Sequence, residues 1–207
     1  RRGQGVAILR APGIYAQDRM PAERVRKGLP AIVMPHGGPS SRDYPNFDWM
    51  AQAFASRGYA VLQPNFRGST GYGAAFERAG DGQWGRKMQT DISDGLAYMV
   101  AQGVVDPKRA CIVGWSYGGY AALVGVTLQQ GLYRCSVSMA GIGNVVALRN
   151  SEVRESGNNV TVSRNLKQQL GTGDLDSISP VRFADKADAP VLLIHGKDDT
   201  VVLYDQS

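Results

Sequence analysis

The chain reads Ala110-Cys111-Ile112-Val113-Gly114-Trp115-Ser116-Tyr117-Gly118-Gly119-Tyr120-Ala121-Ala122-Leu123 near its middle, and this stretch decides the fold. Its first four residues form an apolar run typical of a buried strand, and its last five favour a helix. Glycines two residues to either side of Ser116 leave room for a sharp turn between the two. The five-residue pattern alone also fits a glycine-rich turn with an incidental serine, but the strand before it and the helix after it are the context that a nucleophile elbow demands. We therefore predict that Ser116 is a nucleophile on a strained turn.

Short apolar runs alternate with helical patterns along the rest of the chain. The runs are too continuous for strands with one polar face and predict buried parallel strands. The alternation predicts an α/β fold, with a doubly wound and mostly parallel sheet and right-handed crossovers. Residues 142–187 are more polar and suit helices and loops over the active face. The predicted strands are 31–34, 60–62, 110–113, 136–140 and 191–194, and the predicted helices are 47–56, 84–101 and 117–128.

Composition bounds the class of protein. The chain has 207 residues, 43% of them hydrophobic, which is enough for one substantial core. We predict a catalytic domain over residues 29–207, and an irregular basic leader, or a connection to an absent upstream domain, over residues 1–28. Residues 1–28 hold seven basic and two acidic residues and account for the net charge of +5. A neutral globular part argues against nucleic-acid binding, and no apolar run is long enough for a membrane span.

Two cysteines, Cys111 and Cys135, each lie in an apolar, strand-like run. Small buried thiols are common at such positions. We predict free thiols here rather than a disulfide or a metal pair. The compartment in which the protein works is not determined by this pattern.

A serine hydroxyl needs a base to remove its proton and an acid to orient that base. In α/β sheets of this kind the catalytic residues gather beyond the carboxyl ends of strands, in the order serine, acid, histidine. Asp198 and Asp199 directly follow the predicted strand 191–194. We predict Asp199 as the acid and place Asp198 second, because adjacent residues on a turn point in different directions. The alternative is a pair of solvated turn aspartates.

The chain has two histidines, and neither fits the base. His36 opens a glycine-rich turn after the strand 31–34, where we expect it to brace the loop by hydrogen bonds. The backbone N–H groups of Gly38 in that turn and of Tyr117 after the nucleophile are the predicted oxyanion donors. His195 ends a buried strand four residues before the acid, where a structural histidine is expected. We therefore expect the catalytic histidine to be absent from this chain.

Four motifs occur in order along residues 30–207: His36-Gly37-Gly38-Pro39, Asn65-Phe66-Arg67-Gly68-Ser69-Thr70-Gly71-Tyr72-Gly73, Gly114-Trp115-Ser116-Tyr117-Gly118-Gly119-Tyr120 and His195-Gly196-Lys197-Asp198-Asp199. Together they resemble the prolyl oligopeptidase family of serine peptidases, which includes acylaminoacyl and dipeptidyl peptidases. The resemblance implies an α/β-hydrolase catalytic domain with Ser116 as nucleophile, Asp199 as acid and an oxyanion hole at Gly38 and Tyr117.

The same resemblance implies parts that this chain lacks. It implies a histidine past Ser207 and an upstream β-propeller that filters substrates by size. We therefore expect a truncated chain, without its C-terminal strand and helix, and expect it to expose the apolar residues 191–194 and a free strand edge. Poor stability and aggregation of the isolated chain follow.

Substrate preference is left open by two departures from the family pattern. Val201 stands where family members often have Asn or Arg, and Leu203 stands where Pro is common. Arg67 and Tyr72 belong to a predicted loop near the active face, and we predict that they contact substrate. For Arg67 a salt bridge that only ties the loop is an equal alternative.

The leading hypothesis is a serine peptidase that hydrolyses peptide bonds of short peptides through an acyl-enzyme on Ser116, without cofactor or metal. A carboxylesterase would use the same elbow and is the first alternative. A catalytically dead fragment that acts as a binding module is the second. The chain as given is predicted to be inactive because the histidine is absent. The predicted partner is a peptide substrate, with no nucleic acid and no membrane, and a homo-oligomer is left open.

Overall fold

A computed structural model describes the backbone of Val6–Ala11 and Ile14–Arg19 and all of residues 27–207. Within these residues one seven-stranded sheet has the order β1-β2-β4-β3-β5-β6-β7. The strands are β1 Val6–Ala11, β2 Ile14–Arg19, β3 Leu29–Val33, β4 Ala60–Asn65, β5 Val105–Trp115, β6 Cys135–Met139 and β7 Val191–Ile194. The helices are α1 Trp49–Ala55, α2 Ala74–Arg78, α3 Lys87–Ala101, α4 Tyr117–Thr127, α5 Val145–Glu155 and α6 Val160–Leu170, with short 3₁₀ turns at Asp176–Ile178, Pro180–Lys186 and Tyr204–Gln206.

The five strands β4-β3-β5-β6-β7 are parallel to one another, which confirms the predicted α/β class. Successive residues of a strand point to opposite faces, so each inner strand feeds two apolar layers. Ile32, Val61 and Val113 pack with α1 on one face. Their strand neighbours pack on the other face, in the larger layer that includes α3 and α4. Helices therefore cover both faces, as a doubly wound sheet requires.

Strands β1 and β2 correct the prediction for residues 1–28. Val6–Ala11 and Ile14–Arg19 pair as antiparallel strands, and β2 pairs antiparallel with β4, so they belong to the same sheet as the rest. An edge pair is held by main-chain hydrogen bonds and tolerates mixed side chains, so it lacks the continuous apolar run that marks the inner strands. The prediction of an irregular leader was therefore wrong for these two ranges. Residues 1–5, 12–13 and 20–26 lie outside the described residues.

Helices α3 and α4 cover the same face of the sheet in different ways. In α3 the side chains of Met88, Ile92, Leu96 and Met99 are buried, and their spacing of four, four and three residues places them in one apolar stripe on the sheet. In α4 ten of the eleven residues are buried, so the helix is enclosed on all sides. A helix that is apolar all round lies in the middle of a domain. The helix that follows Ser116 is thus the central helix of the fold.

Side-chain caps set where α5 and α6 begin. The Asn144 carboxamide oxygen accepts a hydrogen bond from the Ala147 N–H (3.0 Å), which satisfies one of the free donors of the first turn of α5. Asn159 caps α6 in the same way through the Thr161 N–H (2.8 Å). These two helices fall in the polar segment 142–187, where helices and loops were predicted.

A disulfide joins Cys111 on β5 to Cys135 on β6, and the prediction of free thiols was wrong. The two residues are direct partners in the parallel pairing of the strands, with their Cα atoms 4.7 Å apart. Two cysteines bond when their strands are neighbours in matching register, and the sequence pattern predicts strands without predicting their neighbours.

Strand β7 is the last in the order of the sheet, and β6 is its partner within the described residues. All four of its apolar side chains are exposed, by 38 to 55%. The expected exposure of residues 191–194 is thus present in the structure. In the described part of the chain, we find no helix whose length and apolar character would let it cross a membrane.

Candidate active site

Ser116 lies at the junction of β5 and α4, with φ 57° and ψ −119°. A non-glycine residue at positive φ carries strain of about 1 to 3 kcal/mol. The Ser116 N–H donates to the Met139 carbonyl (2.9 Å) on β6, which helps to hold this conformation. A Cβ at Gly114 would lie 2.2 Å from the Gly118 carbonyl, and a Cβ at Gly118 would lie 2.1 Å from the Pro35 oxygen. Both flanking positions therefore require glycine, as the motif predicted.

The glycine turn after β3 lies against this elbow. A Cβ at Gly37 would lie 3.3 Å from the Trp115 carbonyl oxygen and 3.4 Å from the Ser116 Cβ. Gly38 has φ 122°, a conformation that L side chains rarely adopt, and it borders the same cavity as Ser116. Tyr117 begins α4, so its N–H belongs to the first turn, whose donors have no partner within the helix. The predicted oxyanion donors, the N–H groups of Gly38 and Tyr117, thus belong to residues next to Ser116, Gly38 in space and Tyr117 in sequence.

His36 holds the glycine turn in place. Its ring stacks on Phe66 with centroids 4.4 Å apart, and burial lowers its pKa to about 4, so the ring is neutral at neutral pH. The Gly37 carbonyl can only accept, so Nδ1 carries the proton and donates to it (2.7 Å), and Nε2 accepts from the Ser69 hydroxyl (2.8 Å). The prediction that His36 braces this loop by hydrogen bonds is confirmed.

The loop from Asn65 to Gly73 is fixed by Arg67. The Asp91 carboxylate accepts from Arg67 Nε and Nη2 (both 2.7 Å) and from the Arg67 backbone N–H (3.0 Å). The salt-bridge alternative therefore describes Arg67 in this structure. The Tyr72 hydroxyl accepts from the Asn65 carboxamide (2.8 Å), and the Tyr72 ring contacts Phe76 edge to face. Substrate contact by either residue stays a prediction.

Asp199 is held by the turn that follows β7. Its Oδ1 accepts from the N–H groups of Val201 and Val202 (both 2.9 Å), and these hydrogen bonds lower the pKa of the carboxyl. Its Oδ2 lies 3.9 Å from His195 Nε2. Asp199 is half-buried whereas Asp198 is exposed. This difference is the one expected if Asp199 alone faces the site.

His195 forms its hydrogen bonds within the same turn. Its Nε2 donates to the Val202 carbonyl (2.8 Å), and its Nδ1 contacts the Ser207 hydroxyl (2.5 Å). Its ring also meets the Tyr204 ring edge to face, with centroids 5.7 Å apart. Both ring nitrogens have partners, as expected of a structural histidine.

A cavity of about 180 Å³ opens beside Ser116. Gly38 from the glycine turn and Val201 and Val202 from the Asp199 turn border it, so three segments far apart in sequence meet there. The remaining wall residues were not predicted from the sequence, because they belong to no motif. The inward stripes of α5 and α6 could have indicated the five that lie on these helices, but not Trp84 or Ile142. The remaining wall residues are Trp84, Ile142, Leu148, Glu152, Leu166, Gln169 and Leu170. Residues 27–207 contain no group of three His, Cys, Asp or Glu side chains that could hold a metal ion.

A doubly wound sheet that presents a strained serine between its central strand and central helix defines the α/β-hydrolase class. The sequence profile described as the prolyl oligopeptidase family matches residues 45–207. The chain belongs to this family, whose members are serine peptidases.

Two curated relatives are more than a third identical to the chain. Dipeptidyl peptidase family member 6 of Caenorhabditis elegans is 36% identical over 187 residues, which are 85% of this chain and 24% of the relative. Dipeptidyl aminopeptidase BIII of Pseudoxanthomonas mexicana is 35% identical over 186 residues, which are 86% of this chain and 27% of the relative. The chain thus spans about a quarter of the length of these relatives.

Solved structures agree with this placement. A puromycin-hydrolyzing peptidase of Mycobacterium tuberculosis superposes with a TM-score of 0.85 at 30% identity, over 98% of this chain and 32% of that one. The acylaminoacyl peptidase of Pyrococcus horikoshii superposes with a TM-score of 0.84 at 26% identity, over 98% of this chain and 33% of that one.

Proposed function

We propose that this chain is the nucleophile-bearing part of a serine peptidase that hydrolyses short peptides through an acyl-enzyme on Ser116. The observation that carries the proposal is the backbone of Ser116, strained at φ 57° beside a cavity that Gly38 also borders. Strain of this kind persists where the surrounding structure enforces it for function.

In the proposed reaction the Ser116 Oγ attacks the carbonyl carbon of the scissile bond, and the carbonyl oxygen becomes negative. The N–H groups of Gly38 and Tyr117 donate to that oxygen, and the N-terminal end of α4 adds the positive end of its dipole. The amine leaves after protonation, and water then releases the acyl group from Ser116.

The base in this proposal is a histidine supplied from sequence beyond Ser207. The two histidines of the chain do not suit this role, because both nitrogens of each ring form hydrogen bonds elsewhere. Asp199 suits the role of orienting acid, since Oδ1 is occupied by two backbone N–H groups and Oδ2 accepts no hydrogen bond from residues 27–207. We refer to the chain with this continuation as the extended protein.

The test of the nucleophile is Ser116→Ala in the extended protein. Hydrolysis of peptidyl anilides is expected to fall by about 10⁴ to 10⁶, and labelling by a fluorophosphonate to disappear. Ser56→Ala, which changes an exposed serine at the end of α1, is the matched control and is expected to keep full activity. More than a tenth of the wild-type turnover in Ser116→Ala would remove Ser116 from the mechanism. Hydrolysis of nitrophenyl esters without any anilide cleavage would indicate an esterase instead.

The test of the acid compares two neighbouring carboxylates. Asp199→Asn is expected to lower kcat by about 10⁴, as for the triad acid of other serine hydrolases. Asp198→Asn removes the same charge one residue earlier, from an exposed side chain, and is expected to have little effect. Equal and small effects of the two substitutions would mean that the acid lies elsewhere.

The isolated chain of residues 1–207 is proposed to be almost inactive. Without a base the serine stays protonated, and the oxyanion donors and binding alone provide about 10³ to 10⁴ over the reaction in water. Fluorophosphonate labelling of residues 1–207 as fast as that of the extended protein would show that His195 is the base. We also propose that the complete protein carries an upstream β-propeller, in keeping with relatives that are about four times as long as the matched segment.

A further inference from the structure

The cavity beside Ser116 holds a single ionisable side chain, that of Glu152. Most of the remaining wall is apolar. It is built by Trp84, Ile142, Leu148, Leu166, Leu170, Val201 and Val202. A carboxylate in such surroundings loses part of its hydration, and a cation next to it compensates for that loss.

Glu152 stands where the pattern of α5 calls for an apolar residue. Val145 and Leu148, seven and four positions earlier, are buried and form the inner face of the helix. Residues at this spacing share a helix face, so Glu152 continues the same stripe into the cavity wall. Its side chain is half-buried. A packing role alone would favour leucine at this position.

No cation of the chain compensates this carboxylate within the described residues. The ion pairs across residues 27–207 involve Asp91, Asp106, Asp176 and Asp199, and none involves Glu152. A second polar group on the same wall is also unpaired. The indole N–H of Trp84, a side chain only 4% exposed, donates to no described residue. Two polar groups beside the nucleophile thus lack an internal partner, which is typical of a wall that meets a ligand.

We propose that Glu152 selects substrates with a lysine or arginine side chain on the residue whose carbonyl Ser116 attacks. The inference rests on the proposed peptidase function and adds its substrate class. The cavity of about 180 Å³ is smaller than the roughly 300 to 1,000 Å³ of sites for drug-sized ligands, which suits one side chain. The aliphatic stem of Lys or Arg packs against Leu148, Leu166 and Leu170, and its charged end meets Glu152.

A free α-amino terminus of a substrate is the other source of a cation. It has no aliphatic stem, so it would leave the apolar wall of the cavity uncovered. The side chain therefore fits the lining better than the terminus does. N-blocked and N-free substrates separate the two sources in the experiment.

The experiment measures kcat/KM of the extended protein for N-blocked peptidyl anilides that carry Lys or the uncharged, equally long norleucine at the scissile residue. The wild type is expected to prefer Lys, and Glu152→Gln is expected to lower the ratio of Lys to norleucine by about tenfold or more, because the partner charge is lost. Glu155→Gln changes an exposed carboxylate on the same helix and is expected to leave the ratio unchanged. Labelling of Ser116 by a small neutral fluorophosphonate checks that each variant is folded with a reactive serine.

The outcomes distinguish a failure of the Glu152 assignment from a failure of the proposed peptidase function. Normal labelling of Ser116 with an unchanged ratio in Glu152→Gln overturns the role of Glu152 and leaves the proposed function standing. Absence of labelling in the wild type overturns both. If Glu152→Gln weakens cleavage of N-free substrates and spares N-blocked Lys substrates, the cation is the amino terminus and the side-chain assignment is wrong.

Discussion

The pair formed by Arg67 and Asp91 offers the sharpest stability test, because the structure provides a matched exposed pair. The Asp91 side chain is 4% exposed and accepts three hydrogen bonds from Arg67, whose side chain is 29% exposed. Arg109 and Asp106 form a similar contact at 2.9 Å, but their side chains are 55% and 33% exposed. Each carboxylate also accepts one backbone N–H, so the pairs differ in burial and in one side-chain hydrogen bond, of which the Arg67 pair has two and the Arg109 pair one. Asp91→Ala and Asp106→Ala therefore compare an Arg–Asp pair in a buried and in an exposed environment.

The expected cost of Asp91→Ala is about 3 kcal/mol of folding free energy. Breaking a fully buried pair costs about 3 to 5 kcal/mol. Arg67 retains some contact with water, which places the value at the lower end. The exposed pair is worth about 0 to 1 kcal/mol, so Asp106→Ala is expected to cost no more than that.

Activity is expected to fall in Asp91→Ala as well. Arg67 fixes the loop that contains Ser69, the Ser69 hydroxyl donates to His36, and His36 donates to the carbonyl of Gly37. Loosening the loop therefore loosens the glycine turn beside Ser116.

The assay is urea denaturation of the extended protein, with kcat measured on the same samples. The change in free energy follows from the shift in the midpoint at constant slope. If Asp91→Ala destabilises the protein no more than Asp106→Ala does, burial is not what makes the inner pair important. If Asp91→Ala is destabilised but keeps its full kcat, the proposed link from Arg67 to the glycine turn fails.

Three further predictions concern stability. The pKa of His36 is about 4 in the folded protein and about 6.5 in the unfolded protein, so the unfolded state binds more protons between these pH values. The contribution of His36 to stability is therefore fully present above pH 6.5, and the free energy of unfolding falls by up to about 3 kcal/mol as the pH drops to 4. His36→Gln should remove this slope from urea midpoints measured between pH 4 and 7, and a slope that persists would assign it to other groups. Gly118→Ala should prevent folding or lower the midpoint strongly, because its Cβ would lie 2.1 Å from a backbone oxygen; a normal midpoint would contradict the turn geometry. The disulfide closes a sequence separation of 24 residues, so reduction should cost about 3 kcal/mol, and dithiothreitol should lower the melting temperature of the wild type but not that of Cys111→Ser/Cys135→Ser; an insensitive wild type would refute its contribution.

The sequence predicts the centre of this fold better than its edges. The inner strands are apolar on both faces, and the stripe of α3 has a clear helical period, so pattern alone locates them. The hairpin β1-β2 has neither signal, because backbone pairing at an edge places few demands on side chains. The disulfide of Cys111 was missed for a related reason, since strand order and register are properties of the assembled sheet.

The residues of the candidate site also differ in whether the sequence predicts them. Ser116 and Gly38 belong to turns whose conformations only certain residues adopt, and such local demands leave a trace in the sequence. Glu152 and Trp84 reach the cavity through the packing of distant segments, which leaves no local pattern. For Arg67 the sequence left two roles equally open, because its partner Asp91 lies on a different element.

The enclosure of α4 determines how far Ser116 can move. With ten of its eleven residues buried, the helix cannot tilt or fray without separating the sheet from α3 and the loops that cover it. Opening motions of a few residues therefore leave the serine where it is, and only unfolding of the whole domain displaces it. Amide hydrogens of α4 should exchange with solvent at the rate of that global event. Adaptation to new substrates would then have to come from the segments around the serine, since the serine itself is as immobile as the core.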